Sequence, residues 1–433
     1  MKKNSVFNIW QENILYNSFS DIAIEFDSKE TNDIKYYLTN LNEFEEHYPD
    51  IFQYFIQCHF IVDEKFDEIN YLLFKNKETI LSERNYHLTI NPTLQCNYRC
   101  WYCCVEEMNT KYEKRRMDNS TIQKIKNHIL KIVKNGVNSL HIDWFGGEPL
   151  MYFNEVILPI STHAIELCKR HRLPFINQIT TNGYYFNDEI IKACNTINLN
   201  KFQIPIDGNE TRHNMVKNIK GEGHFKKIID NVNYICESIE NSMVVLRINY
   251  DTDTLSDISE IIDFFPVKNR KSIFVDFQRI WQVGLSKDPI SGENETLLQR
   301  KRDFEEAGFQ VEYFAYRHRG FSACYSDNYY HRVINYDGKI YKCAARDYDD
   351  SLVIGRLCSD GDLILDDNVM STYFGKTTFD NEKCLNCKIL PLCYGPCVQH
   401  HYEIQKGKHD FVCRNDYSEI SFQRYIRSKV TKK

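Results

Sequence analysis

Cys96, Cys100 and Cys103 are separated by three residues and then by two, just after the strand-like run Tyr86–Thr93. Three closely spaced thiolates can hold three corners of a [4Fe–4S] cluster and leave the fourth iron without a protein ligand. An iron with a vacant position can bind and reduce a substrate, which a fully ligated electron-transfer centre cannot. Zinc sites build more often on CxxC pairs and close four ligands, so the x3–x2 spacing argues against zinc. A second array follows far downstream: Cys324, Cys343, Cys384-x2-Cys387-x5-Cys393-x3-Cys397 and Cys413. Its CxxC pair is also a zinc-ribbon element, so spacing alone leaves that array open between zinc and iron–sulfur.

Something must position the first loop, and residues 86–282 alternate β-rich runs with amphipathic helical runs. The strands read as Tyr86–Thr93, Ser139–Phe145, Phe175–Thr181, Lys201–Asp207, Val244–Asp251 and Ser272–Arg279. Helices read as Ser120–Lys134, Val156–Arg172, Asp188–Thr196, Phe225–Ser238 and Leu255–Phe265. This order implies an α/β fold of parallel βαβ units with right-handed crossovers, and six strands suit a partial barrel. Chemistry in parallel β/α folds collects at the C-terminal strand ends. There lie Gly146-Gly147-Glu148-Pro149, Thr180-Thr181-Asn182-Gly183, Ile206-Asp207-Gly208 and Arg247-Ile248-Asn249.

With these strand-end motifs in place, the chain resembles the radical S-adenosylmethionine (SAM) enzymes. The downstream array resembles the SPASM domain of ribosomal-peptide (RiPP) maturases and of anaerobic sulfatase-maturating enzymes. The resemblance implies a (β/α)6 TIM-like partial barrel whose Cys96, Cys100 and Cys103 hold a SAM-binding [4Fe–4S] cluster. SAM would chelate the vacant iron and be cleaved reductively to a 5′-deoxyadenosyl radical that abstracts hydrogen. Glu148, behind Gly146 and Gly147, corresponds to the family's contact with the methionine ammonium. Thr181 and Asn182 match its TNG segment, Tyr102 its aromatic position near adenine. Asp207 is placed near the ribose, and Arg247 or Asn249 near the SAM carboxylate or the substrate; Pro205 stands where several relatives have Ser.

The same resemblance implies two auxiliary [4Fe–4S] clusters. Cys384, Cys387, Cys393 and Cys413 would hold the distal one, and Cys324, Cys343 and Cys397 the one nearer the barrel. Either Cys358 or a non-cysteine ligand completes the proximal set, or one iron there stays open. Sulfatase-maturating enzymes have an Asp base directly after the position of Cys343; here Ala344 and Ala345 follow, and the nearest carboxylate is Asp347. A base must reach the proton it takes, which favours peptide crosslinking (C–S or C–C) over formylglycine formation. A non-catalytic iron–sulfur electron-transfer protein is the reading from another class.

Residues 1–85 read as a separate winged-helix-like module. It has a hairpin at Ile14–Asn17 and Ile22–Phe26, helices near Asn32–Leu41, Glu43–Gln57 and Phe66–Phe74, and a short strand at Phe60–Val62. By analogy it would grip the leader of a precursor peptide by strand addition. The division is then 1–85, 86–282 for the barrel and 283–433 for a SPASM domain in which helix periodicity fades. A net charge of −6, without interleaved basic and aromatic runs, gives no reason to expect nucleic acid. No apolar run suggests a membrane span, and no signal h-region follows the basic start, so a cytoplasmic protein is expected. Sixteen cysteines then read as metal ligands more readily than as disulfides. Cys168, Cys194 and Cys236 read as packing residues. A flavodoxin- or ferredoxin-type donor would supply the electron.

Overall fold

A computed structural model describes residues 1–105, 116–251, 254–280, 294–313, 320–408, 410–411 and 413–430. The chain begins with β1 (Lys2–Asn4), β2 (Asn8–Gln11), β3 (Ile14–Asn17) and β4 (Ile22–Glu25). Helices Ser28–Thr39, Leu41–His47 and Pro49–Gln57 follow, then β5 (Ile61–Asp63) and helix Glu68–Ile80. Strands β2, β3 and β4 form an antiparallel sheet, while β1 pairs with β5. Asp27 and Glu30 close a capping box at the first helix, fixing its start. The helix expected over Glu43–Gln57 is broken at Tyr48, because Pro49 disfavours helical backbone in the residue before it. Leu15, Phe44, Phe52, Phe55 and Phe60 make this region's own core.

The main sheet starts at β6 (Asn85–Ile90) and continues through β7 (Ser139–Trp144), β8 (Phe175–Thr180) and β9 (Leu199–Ile206). A small hairpin, β10 (Asn218–Ile219) and β11 (Glu222–Gly223), precedes β12 (Met243–Tyr250) and β13 (Ile273–Arg279). Next come β14 (Gln310–Val311), β15 (Arg332–Ile334), β16 (Lys339–Tyr341), β17 (Gly355–Leu357) and β18 (Leu363–Leu365). Eleven strands form one sheet in the order β14-β13-β12-β9-β8-β7-β6-β15-β16-β17-β18. The six strands expected from the sequence are all present, parallel and adjacent. The sheet is open, with β14 and β18 ending it.

Alternate strand residues face opposite sides. Leu88, Ile142, Ile179, Ile204, Leu246 and Val275 pack with the helices Asn119–Lys134, Leu158–His171, Asp188–Thr196 and Phe225–Ser238 in one core. Each such buried side chain contributes roughly 1.5–3 kcal/mol before entropy is counted. The residues between them are mostly polar, including His87, His141, Asp143, Gln178, Gln203, Arg247 and Asp276. They form the inner face, on the side away from those helices, and a partial barrel needs such a face.

Three expectations change. Leu255–Phe265 contains a 3-10 helix, Ile258–Phe264, instead of an α-helix. Helix does not fade after residue 283: Glu295–Glu306, Asp367–Phe374, Val398–Gln405 and Phe422–Ser428 are α-helical. The C-terminal region also continues the main sheet, because β15 pairs in parallel with β6 and carries β16–β18 outward. The boundary expected at 282/283 lies outside the described residues. Among the described residues no helix is long and apolar enough to cross a membrane.

Candidate active site

The cysteine loop leaves the tip of β6 and is locked against the loop after β7. Gly147 N–H donates to Thr93 O at 3.0 Å and Glu148 N–H to Gln95 O at 2.7 Å. A Cβ on Gly146 would stand 2.3 Å from Thr93 O, and one on Gly147 2.2 Å from Gln95 O. The two glycines therefore let two backbones touch, which a side chain would forbid.

Glu148 is fully buried and ties three loops together. Its Oε1 accepts from Leu150 N–H at 2.9 Å and from the Thr181 hydroxyl at 2.7 Å; its Oε2 accepts from Asn182 N–H at 2.8 Å. Burial pushes its carboxyl up to about 7, against the pull of these donors. One lone pair of Oε2 remains for a further donor. Asn182 Nδ2 reaches Asn97 Oδ1 at 2.8 Å and Cys96 Sγ at 3.7 Å, and Tyr98 N–H donates to the same sulfur at 3.4 Å.

Across the strand tips, Asp207 is buried in an ion pair with Lys217. Tyr102 donates its hydroxyl proton to Asp207 Oδ1 at 2.6 Å, Asn249 Nδ2 lies 3.3 Å from the same oxygen, and Lys217 Nζ is 3.0 Å from the Tyr102 hydroxyl. Burial opposes charge on both partners, yet each holds the other ionised: Asp207 below the carboxylate range, Lys217 above the ordinary ammonium value. Arg247 joins through Nε to Asn249 Oδ1 at 3.1 Å. The structure thus brings Tyr102, Asp207, Arg247 and Asn249 together around Lys217. No motif singles out that lysine, which lies ten positions beyond Asp207 in the sequence.

The cysteines gather in three sets. Burial raises the thiols of Cys96 and Cys100, the latter to about 11, and both also feel Cys103. Cys384, raised by burial to about 12, feels Cys393, Cys387 and Cys413. Cys397 shares a side-chain hydrogen bond with Cys324, and Cys343 also feels Cys324. Ala345 N–H donates to Cys343 Sγ at 3.4 Å, and Arg346, paired with Glu403 at 2.6 Å, adds positive charge near Cys343 and Cys397. Buried thiols that resist ionisation alone, faced by N–H donors and grouped in threes and fours, fit iron–sulfur ligands, since a coordinated thiol is deprotonated outright. Cys358 opens the β17–β18 turn, which packs on helix Asn119–Lys134 through Ser359, Gly361 and His128. Cys104 feels both Cys103 and Cys343 and so lies between the first and proximal sets.

Residues 90–265 match the model of the Radical SAM superfamily. It is 23% identical over 329 residues to the radical SAM cyclopropyl synthase TigE of Paramaledivibacter caminithermalis, a match covering 70% of this chain and 66% of that protein. In fold it is similar to native anSMEcpe with bound AdoMet (TM-score 0.53, 16% identity, 79% of this chain and 98% of that one). It is also similar to Streptococcus suis SuiB bound to S-adenosylmethionine (TM-score 0.51, 16% identity, 96% and 100% covered).

Proposed function

We propose that the chain is a radical SAM peptide maturase with a SPASM-type C-terminal region. In this reading it abstracts hydrogen from a ribosomally made peptide and installs a C–S or C–C crosslink. The observation that carries the reading is the gathering of ten cysteines from two distant stretches of the chain into three sets, the first at the strand tips beside Glu148 and Asp207. With a [4Fe–4S] cluster on Cys96, Cys100 and Cys103, the site would supply reductive cleavage of SAM. Around it, Glu148 fixes the Thr181–Asn182 loop and keeps a lone pair for an ammonium. The Asp207–Lys217–Tyr102–Asn249 network offers a rigid polar wall for a ribose or carboxylate. Asn182 and Tyr98 N–H direct donors at a ligand sulfur, one of the levers on cluster potential.

Cys384, Cys387, Cys393 and Cys413 would hold a distal auxiliary cluster, and Cys324, Cys343 and Cys397 a proximal one. Residues 1–85 are read as the peptide recognition element, 86–282 as the barrel and 283–433 as the SPASM region. A leader-bearing precursor peptide would be the partner, and a flavodoxin- or ferredoxin-type protein the donor, in the cytoplasm. A relative named for making cyclopropyl groups supports a bond-forming outcome. Ala344 and Ala345 after Cys343 disfavour formylglycine formation. Coexpression with a short peptide encoded beside the gene tests the reading: a loss of two hydrogens, with fragmentation showing two residues of that peptide joined, is expected, while an aldehyde formed at a single Cys or Ser of a sulfatase would replace it.

A further inference from the structure

One rung back from the strand tips, the inner face carries a group of ligand atoms that the proposed reaction does not use. His87 on β6 and His141 on β7 are register partners. Their rings therefore project side by side and stack, with centroids 4.2 Å apart and planes 4° from parallel. Asp143 sits two residues beyond His141 on the same face, and its two oxygens divide between the rings. His87 Nε2 is 2.6 Å from Oδ2, and His141 Nε2 is 2.9 Å from Oδ1. The second contact is out of line for a hydrogen bond, so His141 Nε2 and Asp143 Oδ1 are both buried without a hydrogen-bond partner.

All three ligand atoms lie within 4.8 Å of one another. Ligand atoms that share an ion at about 2.0–2.2 Å stand roughly 3 Å apart; each imidazole nitrogen lies about that far from one Asp143 oxygen, and one ring turns out of the stack for both nitrogens to face the same ion. The rings are held from behind: buried His331 bonds Thr89 Oγ1 through Nε2 at 3.1 Å and packs on the His87 ring with centroids 4.6 Å apart. Tyr325, next to Cys324 in sequence, in turn packs on His331 at 4.7 Å.

We propose that His87, His141 and Asp143 bind a divalent transition-metal ion on the inner face of the sheet, through two imidazole nitrogens and the Asp143 carboxylate. Two His and one carboxylate on one side suit Fe2+, Mn2+, Co2+ or Zn2+ and leave coordination positions open. Those positions fall on the same face as the strand-tip site, so an oxygen or nitrogen donor of a substrate bound there is the class of ligand that would complete the ion. The site is separate in chemistry from the cysteine sets, and the inference does not rest on the proposed reaction.

The test uses the anaerobically reconstituted full chain, stripped of loose metal on a chelating resin and titrated with Mn2+. The six-line EPR signal of aqueous Mn2+ falls on binding, and hard Mn2+ avoids thiolate sites. One Mn2+ per chain is expected, displaced by Zn2+ and bound roughly ten-fold or more weakly by His141→Gln and by Asp143→Asn. Iron content and visible absorbance should stay unchanged in both variants, and Cys387→Ala should keep the Mn2+. An aqueous signal that the wild type leaves intact, or equal binding by wild type and both variants, overturns the proposal. Should the variants fail to fold, nitrogen couplings on the Mn2+ of the wild type decide: imidazole couplings support the site and their absence overturns it.

Discussion

The loop around Cys96 and the loops around Cys384 both gather thiols, but different forces hold them. At the strand tips the scaffold is complete without metal: two backbones in contact at Gly146 and Gly147, a buried carboxylate accepting three bonds, and a buried ion pair. Around Cys384 the elements are four-residue helices, Glu382–Leu385 and Leu390–Cys393, too short to be stable alone. Their apolar support is split between two small clusters: Leu390 and Tyr394 with Phe7, Leu72 and Ala323, and Ile389 and Leu392 with Ile14, Tyr16 and Tyr425. Bonds to the N-terminal sheet brace them, from Ser18 Oγ to Lys388 O and from Lys388 Nζ to Asn8 O at 2.8 Å. A preformed cradle suits a site that must present one iron to a ligand repeatedly, whereas a metal-ordered loop suffices for a closed cluster.

The largest effect should come from Gly147→Ala, since the new Cβ meets backbone that cannot yield. Iron of the first set and release of 5′-deoxyadenosine should both vanish, while absorbance from the downstream sets persists. Lys217→Met leaves Asp207 buried and unpaired, at a cost of about 3–5 kcal/mol. Denaturant unfolding should show that loss, and Asp207→Asn in the same chain should restore part of it.

Acid should act next, at the seam between core and sheet extension. Buried His128 bonds Gly361 O through Nδ1 and Tyr86 through Nε2, and burial pulls it down to about 4 from 6.5. Between those values the unfolded chain binds the extra proton and the folded chain does not, so stability falls as pH drops from 6.5 toward 4. The loss is about 3 kcal/mol, and His128→Gln should flatten the slope. The smallest effect belongs to Ser18→Ala, about 1 kcal/mol. Faster amide exchange should follow within 384–397, with none at the strand tips; equal change in both regions would erase the contrast drawn between them.

What the sequence made legible follows the same division. Strands β6–β9, β12 and β13 announce themselves because β-rich runs alternate with amphipathic helices, and helix Asp188–Thr196 lies where its periodicity puts it. Strands β15–β18 do not: three residues each, they are fixed by the pairing of β15 with distant β6 and then by antiparallel pairing to one another. The cysteine spacing pointed to the loops but not to Lys217, whose importance is purely spatial. Neither was the His87–His141–Asp143 group legible, because 54 residues separate the two histidines until parallel register aligns them.

The most direct measurement is SAM turnover by the anaerobically reconstituted protein with dithionite. Iron well above four atoms per chain, with release of methionine and 5′-deoxyadenosine that Cys100→Ala abolishes while it keeps the downstream absorbance, is the expected result. Intact SAM under strong reductant, or equal turnover by Cys100→Ala, would contradict the account.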